Sequence, residues 1–333
     1  MEKNIAEMRP TEILLRAVRR SGFVSRRSQK IVRSMAASAA GRRRLNRFYN
    51  RLNYDEKAVF HNLFSKIYRE AAAPAGDDVW TVDFLGAAIS LPLRSETMWL
   101  DWDNALSIVG HDTDVKITYE RLLGSNRRPR VFFDIGANYG THSLLMLSQG
   151  VRAVSFEPNP ACRQEFETLC RLNGVEGSAH GQAVSDRAGT ARFWFPERDT
   201  WLGTMVDETK DALAGQYELQ KIDVELTTLD DFVERSGLRP DLMKIDTEGN
   251  EKKVLAGARK TISECRPSII FEANTPESRR ELRGLFDEFS YVVTPLPLAP
   301  DFRTLTDAEF ERSGHFNFIA VPENFSWSVA GEK

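Results

Sequence analysis

Apolar residues fall in two different rhythms along this chain. Over residues 11–73 they recur at helical spacing, as in Ile13, Leu14, Ala17 and Val18, and later in Val59, Leu63, Phe64 and Ile67. This predicts a helical arm over residues 1–75. Pro and Gly in Ala71-Ala-Ala-Pro-Ala-Gly76 mark its end. A short lead-in follows over 76–125, with a strand pair at Trp80–Leu85 and Ala88–Leu93 and a helix over 114–124.

From Arg130 the rhythm changes. Continuous apolar runs alternate with helical stretches: Val131–Ile135 then 141–149, Ala153–Glu157 then 160–173, Leu242–Asp246 then 250–265, Ser268–Glu272 then 276–288. Strands apolar on both faces, alternating with helices, predict an α/β domain over 126–325: a mostly parallel sheet with helices on both faces. The third strand is expected to end in Ala183-Val-Ser-Asp186. Ala191–Phe195 and Lys221–Leu226 interrupt the alternation and read as an antiparallel insertion. Tyr291–Val293 and Phe316–Val321 supply two last strands, and 326–333 is a tail.

Composition narrows the class. The chain has 333 residues, of which 41% are hydrophobic and 28% charged, enough apolar content to bury a core. No run approaches the roughly 18–20 apolar residues of a membrane-spanning helix, and no apolar leader precedes a small-residue cleavage site. Three widely spaced cysteines, Cys162, Cys170 and Cys265, form no disulfide or zinc pattern, which fits a reducing cytoplasm. Charge is unevenly spread. Residues 1–51 hold 14 Lys/Arg against 3 Asp/Glu, a local +11, and the remaining 31 basic and 45 acidic residues give −14. An arm of this kind suits a dimerisation element, giving a homo-oligomer, or peripheral contact with an anionic membrane or another polyanion. It is Arg-rich like a transit peptide but opens with Glu2 and Glu7. No nucleic-acid-binding motif accompanies it.

The candidate chemistry begins at Asp134-Ile-Gly-Ala-Asn-Tyr-Gly140, between a buried strand and a helix. Gly136 permits a tight turn and Gly140 a close approach to a ligand or helix, while the helix start offers free N–H groups. A dinucleotide fingerprint from Gly136 requires glycine at 138 and 141, where Asn138 and Thr141 stand, so NAD is disfavoured. The spacing resembles the acidic-x-Gly-x-x-x-Gly loop of methyltransferases that use S-adenosylmethionine, with Asp134 placed to attract the donor's ammonium group. Glu157, 21 residues after Gly136, ends the next strand, where a carboxylate can accept both ribose hydroxyls or cap the following helix. Ser185 and Asp186 either reach the adenine edge or form a polar turn.

With these pieces the chain resembles the FkbM family of S-adenosylmethionine-dependent methyltransferases. The resemblance is carried by the 134–140 loop, Phe156-Glu-Pro-Asn159, Thr228-Leu-Asp-Asp231, Lys244-Ile-Asp-Thr-Glu-Gly-Asn-Glu251, Val254-Leu-x-Gly-Ala258, Arg266-Pro-Ser-Ile-Ile-Phe-Glu272 and Asn317-Phe-Ile-Ala-Val-Pro322. It implies a Rossmann-like methyltransferase fold and O-methylation of a hydroxyl on a sugar, glycan or natural product. It does not reach residues 1–75. A non-catalytic protein that keeps the fold is the competing class.

Ligands in open α/β sheets bind outside the carboxyl ends of the strands. Asp246, Glu248 and Glu272, with Asn250 and Asn274, are expected at that edge. Methyl transfer requires alignment, exclusion of water and removal of the hydroxyl proton. Asp246 is the first candidate base, followed by Glu248. Helix capping is the alternative for both. Glu272 and Asn274 can complete an oxygen-ligand site for a divalent cation such as magnesium. His142 is a third catalytic candidate, with a solvated or structural histidine as the alternative. Lys244 is expected to pair with a carboxylate. His111, Asp112 and Asp114 suggest either a metal or a capped turn, and Trp99, Trp102 and Trp201 either stack on a sugar ring or fill the core.

Overall fold

The chain separates into two units, residues 1–113 and 114–333. The computed structural model describes residues 34–35, 38–49, 51–53, 56, 79–92, 112–197 and 202–328. Most of the expected helical arm, its boundary at 71–76, His111, Trp99, Trp102 and Trp201 lie outside them. Among the described residues no helix is long and apolar enough to cross a membrane.

In the first unit, α1 (Ala39–Tyr49) buries Arg42, Leu45 and Tyr49 on one side. Strands β1 (Val79–Phe84) and β2 (Ala87–Pro92) form an antiparallel hairpin. Its two-residue turn, Leu85-Gly86, has φ of 50° and 82°, the positive pair that matches strand twist in a tight hairpin.

The second unit opens with α2 (Thr113–Leu123), followed by β3 (Val131–Ile135), α3 (Thr141–Ser148), β4 (Arg152–Phe156), α4 (Pro160–Asn173) and β5 (Ala179–His180). An excursion comes next: β6 (Ala183–Val184), β7 (Gly189–Pro196), α5 (Asp207–Ala214) and β8 (Leu219–Thr227). The chain returns through α6 (Leu229–Ser236), β9 (Leu242–Ile245), α7 (Glu251–Ala256), α8 (Arg259–Cys265), β10 (Ser268–Glu272), α9 (Pro276–Glu288), β11 (Tyr291–Pro295), α10 (Asp307–Glu311) and β12 (Asn317–Pro322). The main sheet runs β11-β12-β10-β9-β3-β4-β5. Among its strands β12 alone is reversed, pairing antiparallel with both β10 and β11. This is the Rossmann-like methyltransferase fold, with the order reversing between β3 and β9. Phe133, Phe156, Met243, Ile245 and Phe271 are fully buried in the helix-covered core, which is why these strands read as mostly apolar runs rather than as alternating ones.

Two expectations need correction. The third strand of the sheet is Ala179–His180, paired with Ser155 and Phe156. Ala183–Val184 instead pairs with Leu226 and Thr227 in the three-stranded sheet β6-β8-β7. A two-residue strand has no alternation to detect, so the more apolar Ala183-Val184 gave the stronger signal. The single helix expected over 250–265 is two, broken at Gly257. A Cβ there would lie 2.1 Å from the Ser185 carbonyl oxygen, so backbone packs on backbone at this point. Asp230 then caps α8 from outside, accepting the N–H groups of Lys260 (3.0 Å) and Thr261 (2.7 Å). Thr228 caps α6 by accepting from Asp231 at 3.0 Å. The Thr228-Leu-Asp-Asp231 motif is thus two helix caps.

Candidate functional site

The 134–140 loop is built by three left-handed residues, Gly136 (φ 77°), Asn138 (φ 54°) and Gly140 (φ 68°). The N–H groups of Gly136 and Ala137 both bond the Phe156 carbonyl, at 3.0 and 2.9 Å, tying the turn to β4. A Cβ on Gly136 would sit 1.9 Å from the Asp246 carbonyl oxygen, and one on Gly140 would lie 2.0 Å from the Phe166 ring. Gly140 is therefore needed for α4 to pack. Gly136 lets the loop touch the segment that follows β9.

Asp134 lies at the base of this loop, fully buried. Its Oδ2 accepts the Ser143 hydroxyl at 2.7 Å, and that hydroxyl is 2.8 Å from Ser155 Oγ. Oδ1 is buried with no hydrogen-bond partner among the described residues, a cost unless a donor arrives. Glu157 accepts the Asn138 N–H on one oxygen and the Asn159 N–H on the other, both at 2.8 Å. Burial pushes this carboxyl up to about 7, against the pull of those two N–H groups. Each oxygen keeps a second acceptor site.

At the ends of β9 and β10 the carboxylates gather. Lys244, buried within β9, donates to Asp246 Oδ2 at 2.7 Å, the pairing expected from its spacing. Glu248 follows in a left-handed conformation, φ 54°, a strained geometry for a residue with a side chain. Burial pushes Glu248 up to about 7, helped by the charges of Asp246 and Glu251. Glu272 is pushed up to about 8 by burial and by Asp246 and Glu248, while a hydrogen bond from Asn274 opposes the shift. Glu251 takes the structural work of the turn, accepting the N–H groups of Thr247 and Gly249 at 2.8 and 3.2 Å. Asn250 donates to the Val184 carbonyl at 3.0 Å.

The structure thus brings the glycine loop, Glu157 and the acidic edge to one end of the sheet, joined where Gly136 meets Asp246. Ser185 and Asp186 are bonded to each other at 3.1 Å, with the Ser185 backbone against Gly257. His142, buried at the start of α3, lies 3.1 Å through Nδ1 from the Tyr119 hydroxyl, with the rings edge to face. Asp114 accepts the Val115 N–H at the start of α2. The magnesium site is not supported: among the described residues no group of three or more His, Cys, Asp or Glu is arranged to hold a metal ion. The cation in contact with Asp246 is the Lys244 ammonium.

Sequence reading missed two residues at this edge. Buried Arg279 donates to the carbonyls of Ala273, Glu311, Ser313 and His315, at 2.7–3.1 Å, and stacks over Phe318. It fastens the loop after β10 to the loop before β12. Phe316, next in that second loop, is 58% exposed, and its carbonyl accepts the Ala273 N–H at 2.9 Å, which places it beside Glu272 and Asn274. The sequence placed Phe316 inside the last strand, where an aromatic residue reads as core; the strand begins one residue later, at Asn317.

Residues 134–305 match the Methyltransferase FkbM domain. The 2-O-methyltransferase NoeI of Sinorhizobium fredii (strain NBRC 101917 / NGR234) is 31% identical over 152 residues, 41% of this chain and 60% of that protein. The 31-O-demethyl-FK506 methyltransferase FkbM of Streptomyces tacrolimicus is 30% identical over 152 residues, 38% of this chain and 58% of that protein. The chain therefore spans less than two thirds of either relative's length. A solved Methyltransferase FkbM from Methylobacillus flagellatus KT is similar at a TM-score of 0.37 and 17% identity, over 58% of this chain and 43% of that one.

Proposed function

The chain belongs to the FkbM methyltransferase family, and on that footing we propose that it transfers a methyl group from S-adenosylmethionine to a hydroxyl of a sugar, glycan or natural product. The observation that carries this reading is the coupling of the 134–140 loop and Glu157 to a carboxylate cluster at the same sheet edge. The residues fit that donor. Asp134 keeps a buried acceptor oxygen without a partner, suited to an ammonium group directly or through water. Glu157 keeps acceptor capacity for two ribose hydroxyls, and Ser185 with Asp186 is assigned to the adenine edge. When bound, S-adenosylmethionine supplies a methyl group on a positively charged sulfur, already activated for displacement.

The chain's own residues then align the acceptor and take its proton. With the donor bound, forming the carbon–oxygen bond at the expense of the carbon–sulfur bond would require the hydroxyl proton to pass to a carboxylate of this chain, giving a methyl ether and S-adenosylhomocysteine. Protonating Asp246 would cost its ion pair with buried Lys244. We therefore assign Asp246 to orientation and the proton to the Glu248–Glu272 pair. His142 holds the first turn of α3 through Tyr119.

Isothermal titration with S-adenosylhomocysteine and with NAD tests the donor. Saturable binding of the first, lost in Glu157→Ala, is expected. Preferential binding of NAD would overturn the reading. Donor binding without S-adenosylhomocysteine release, across a broad panel of sugar and polyketide hydroxyls, would favour the non-catalytic class.

A further inference from the structure

The first unit carries a feature that methyl transfer does not use. Residues 13–54 contain no Asp or Glu and 12 Lys/Arg, 11 of them Arg. Within this stretch α1 has a sharply divided surface. At about 100° per residue, Arg43, Arg47, Arg44 and Phe48 fall in order within an arc of roughly 140°. All four are exposed, as is Arg51 just beyond the helix. Leu45, Tyr49 and Arg42 occupy the opposite arc and are buried. None of the four exposed arginines has a hydrogen bond or ion pair among the described residues. Their positive charge is presented to whatever lies outside.

We propose that this face of α1 docks the protein on an anionic lipid surface. Because the apolar side of the helix is already buried, the attachment is electrostatic and not an insertion. It should be reversible and sensitive to salt. Phe48, 38% exposed at the margin of the arc, adds an aromatic ring of the kind that settles at the headgroup level. Arginine also pairs with guanine edges and phosphates, so binding to single-stranded RNA is the competing outcome; what favours lipid is the aromatic ring of Phe48 beside the charges. This arc presents guanidinium groups and one phenyl ring on a single face, the pairing of charge and aromatic ring that suits a headgroup layer.

Flotation of the full chain with vesicles tests the proposal. Binding is expected with vesicles containing phosphatidylglycerol, not with phosphatidylcholine alone, and should fall as salt rises. Each basic side chain near an anionic surface contributes about fivefold. Arg43→Gln, Arg44→Gln, Arg47→Gln and Arg51→Gln together should weaken binding on the order of a hundredfold or more. The same four positions changed to Lys should retain it. Binding to neutral vesicles, unchanged binding by the glutamine variant, or tighter binding to single-stranded RNA at equal salt would overturn it. If the glutamine variant loses its helical circular dichroism, the salt titration of the unmodified chain decides, and salt-insensitive binding sinks the idea.

Discussion

One oxygen of Glu157 accepts the backbone N–H of Asn138 at 2.8 Å, so a carboxylate at the end of β4 holds the turn that follows β3. Any ligand that uses the remaining acceptor sites of Glu157 feels the state of that turn. Ribose hydroxyls donate to the ionised carboxylate, but burial raises this group to about 7. Donor binding must then expel a proton at lower pH. S-adenosylhomocysteine affinity is expected to rise with pH, up to about tenfold per unit below 7, and to level off above. Glu157→Gln should bind weakly with no such slope. Titration calorimetry in buffers of different ionisation enthalpy would detect the released proton, and a flat profile would exclude the assigned role.

The same burial has a consequence for folding. Glu157, Glu248 and Glu272 all rise from the ordinary 4.5, to about 7, 7 and 8. Their folded-state values exceed the unfolded ones, so they favour the fold fully below about 4.5. That contribution is lost as pH climbs through 7 to 8. The unliganded protein should therefore melt at a lower temperature at pH 8 than near pH 5.5. Scanning calorimetry of the triple Gln variant should show this part of the slope removed.

Gly136 should tolerate no side chain. Alanine there meets the Asp246 carbonyl at 1.9 Å in a left-handed backbone (φ 77°). Gly136→Ala is expected to cost roughly 3–5 kcal/mol and to abolish donor binding. Gly174→Ala shares the left-handed φ, 63°, but has nothing within 4 Å, and should cost only about 1 kcal/mol. Denaturant unfolding of the pair separates crowding from backbone strain.

Much of this architecture was legible in the chain. The runs at Val131, Ala153, Leu242 and Ser268 announced themselves because strands buried on both faces are mostly apolar, with only single polar residues such as Asp134, Ser155 and Lys244 among them. The 134–140 loop was legible because Gly136, Asn138 and Gly140 answer a local demand for left-handed backbone. Residues whose meaning depends on partners far along the chain were not. Gly257 breaks a helix because Ser185 lies against it, and Arg279 matters because four carbonyls, from the loop after β10, the end of α10 and the loop before β12, converge on it.

Arg279 is expected to act as a positioning residue for the loop that carries Phe316 beside Glu272, the edge at which the proposed acceptor is held. Arg279→Lys cannot reach all four carbonyls and should loosen the loop carrying Phe316. The acceptor KM should rise while S-adenosylhomocysteine affinity stays constant. Phe316→Ala, which removes only the exposed ring, should raise KM by about tenfold for ring-bearing acceptors. Little change is expected in stability. Equal losses in donor affinity would show instead that both residues serve the sheet as a whole.

The assignment of the proton to Glu248 and Glu272 makes the most discriminating prediction. A carboxylate takes a proton only when ionised, so kcat/KM should rise with pH and level off near 8, the higher of the two raised values. Asp246 contributes to both shifts through its negative charge. Asp246→Asn removes that charge and should move the inflection to lower pH while keeping a substantial rate. Glu248→Gln or Glu272→Gln, whichever removes the accepting oxygen, should cost about 10²–10⁴-fold. If Asp246 were itself the base, its Asn variant would show the large loss at every pH, with no displaced inflection to recover. Pre-steady-state rates for the three variants, at saturating donor, distinguish the two arrangements without reference to binding.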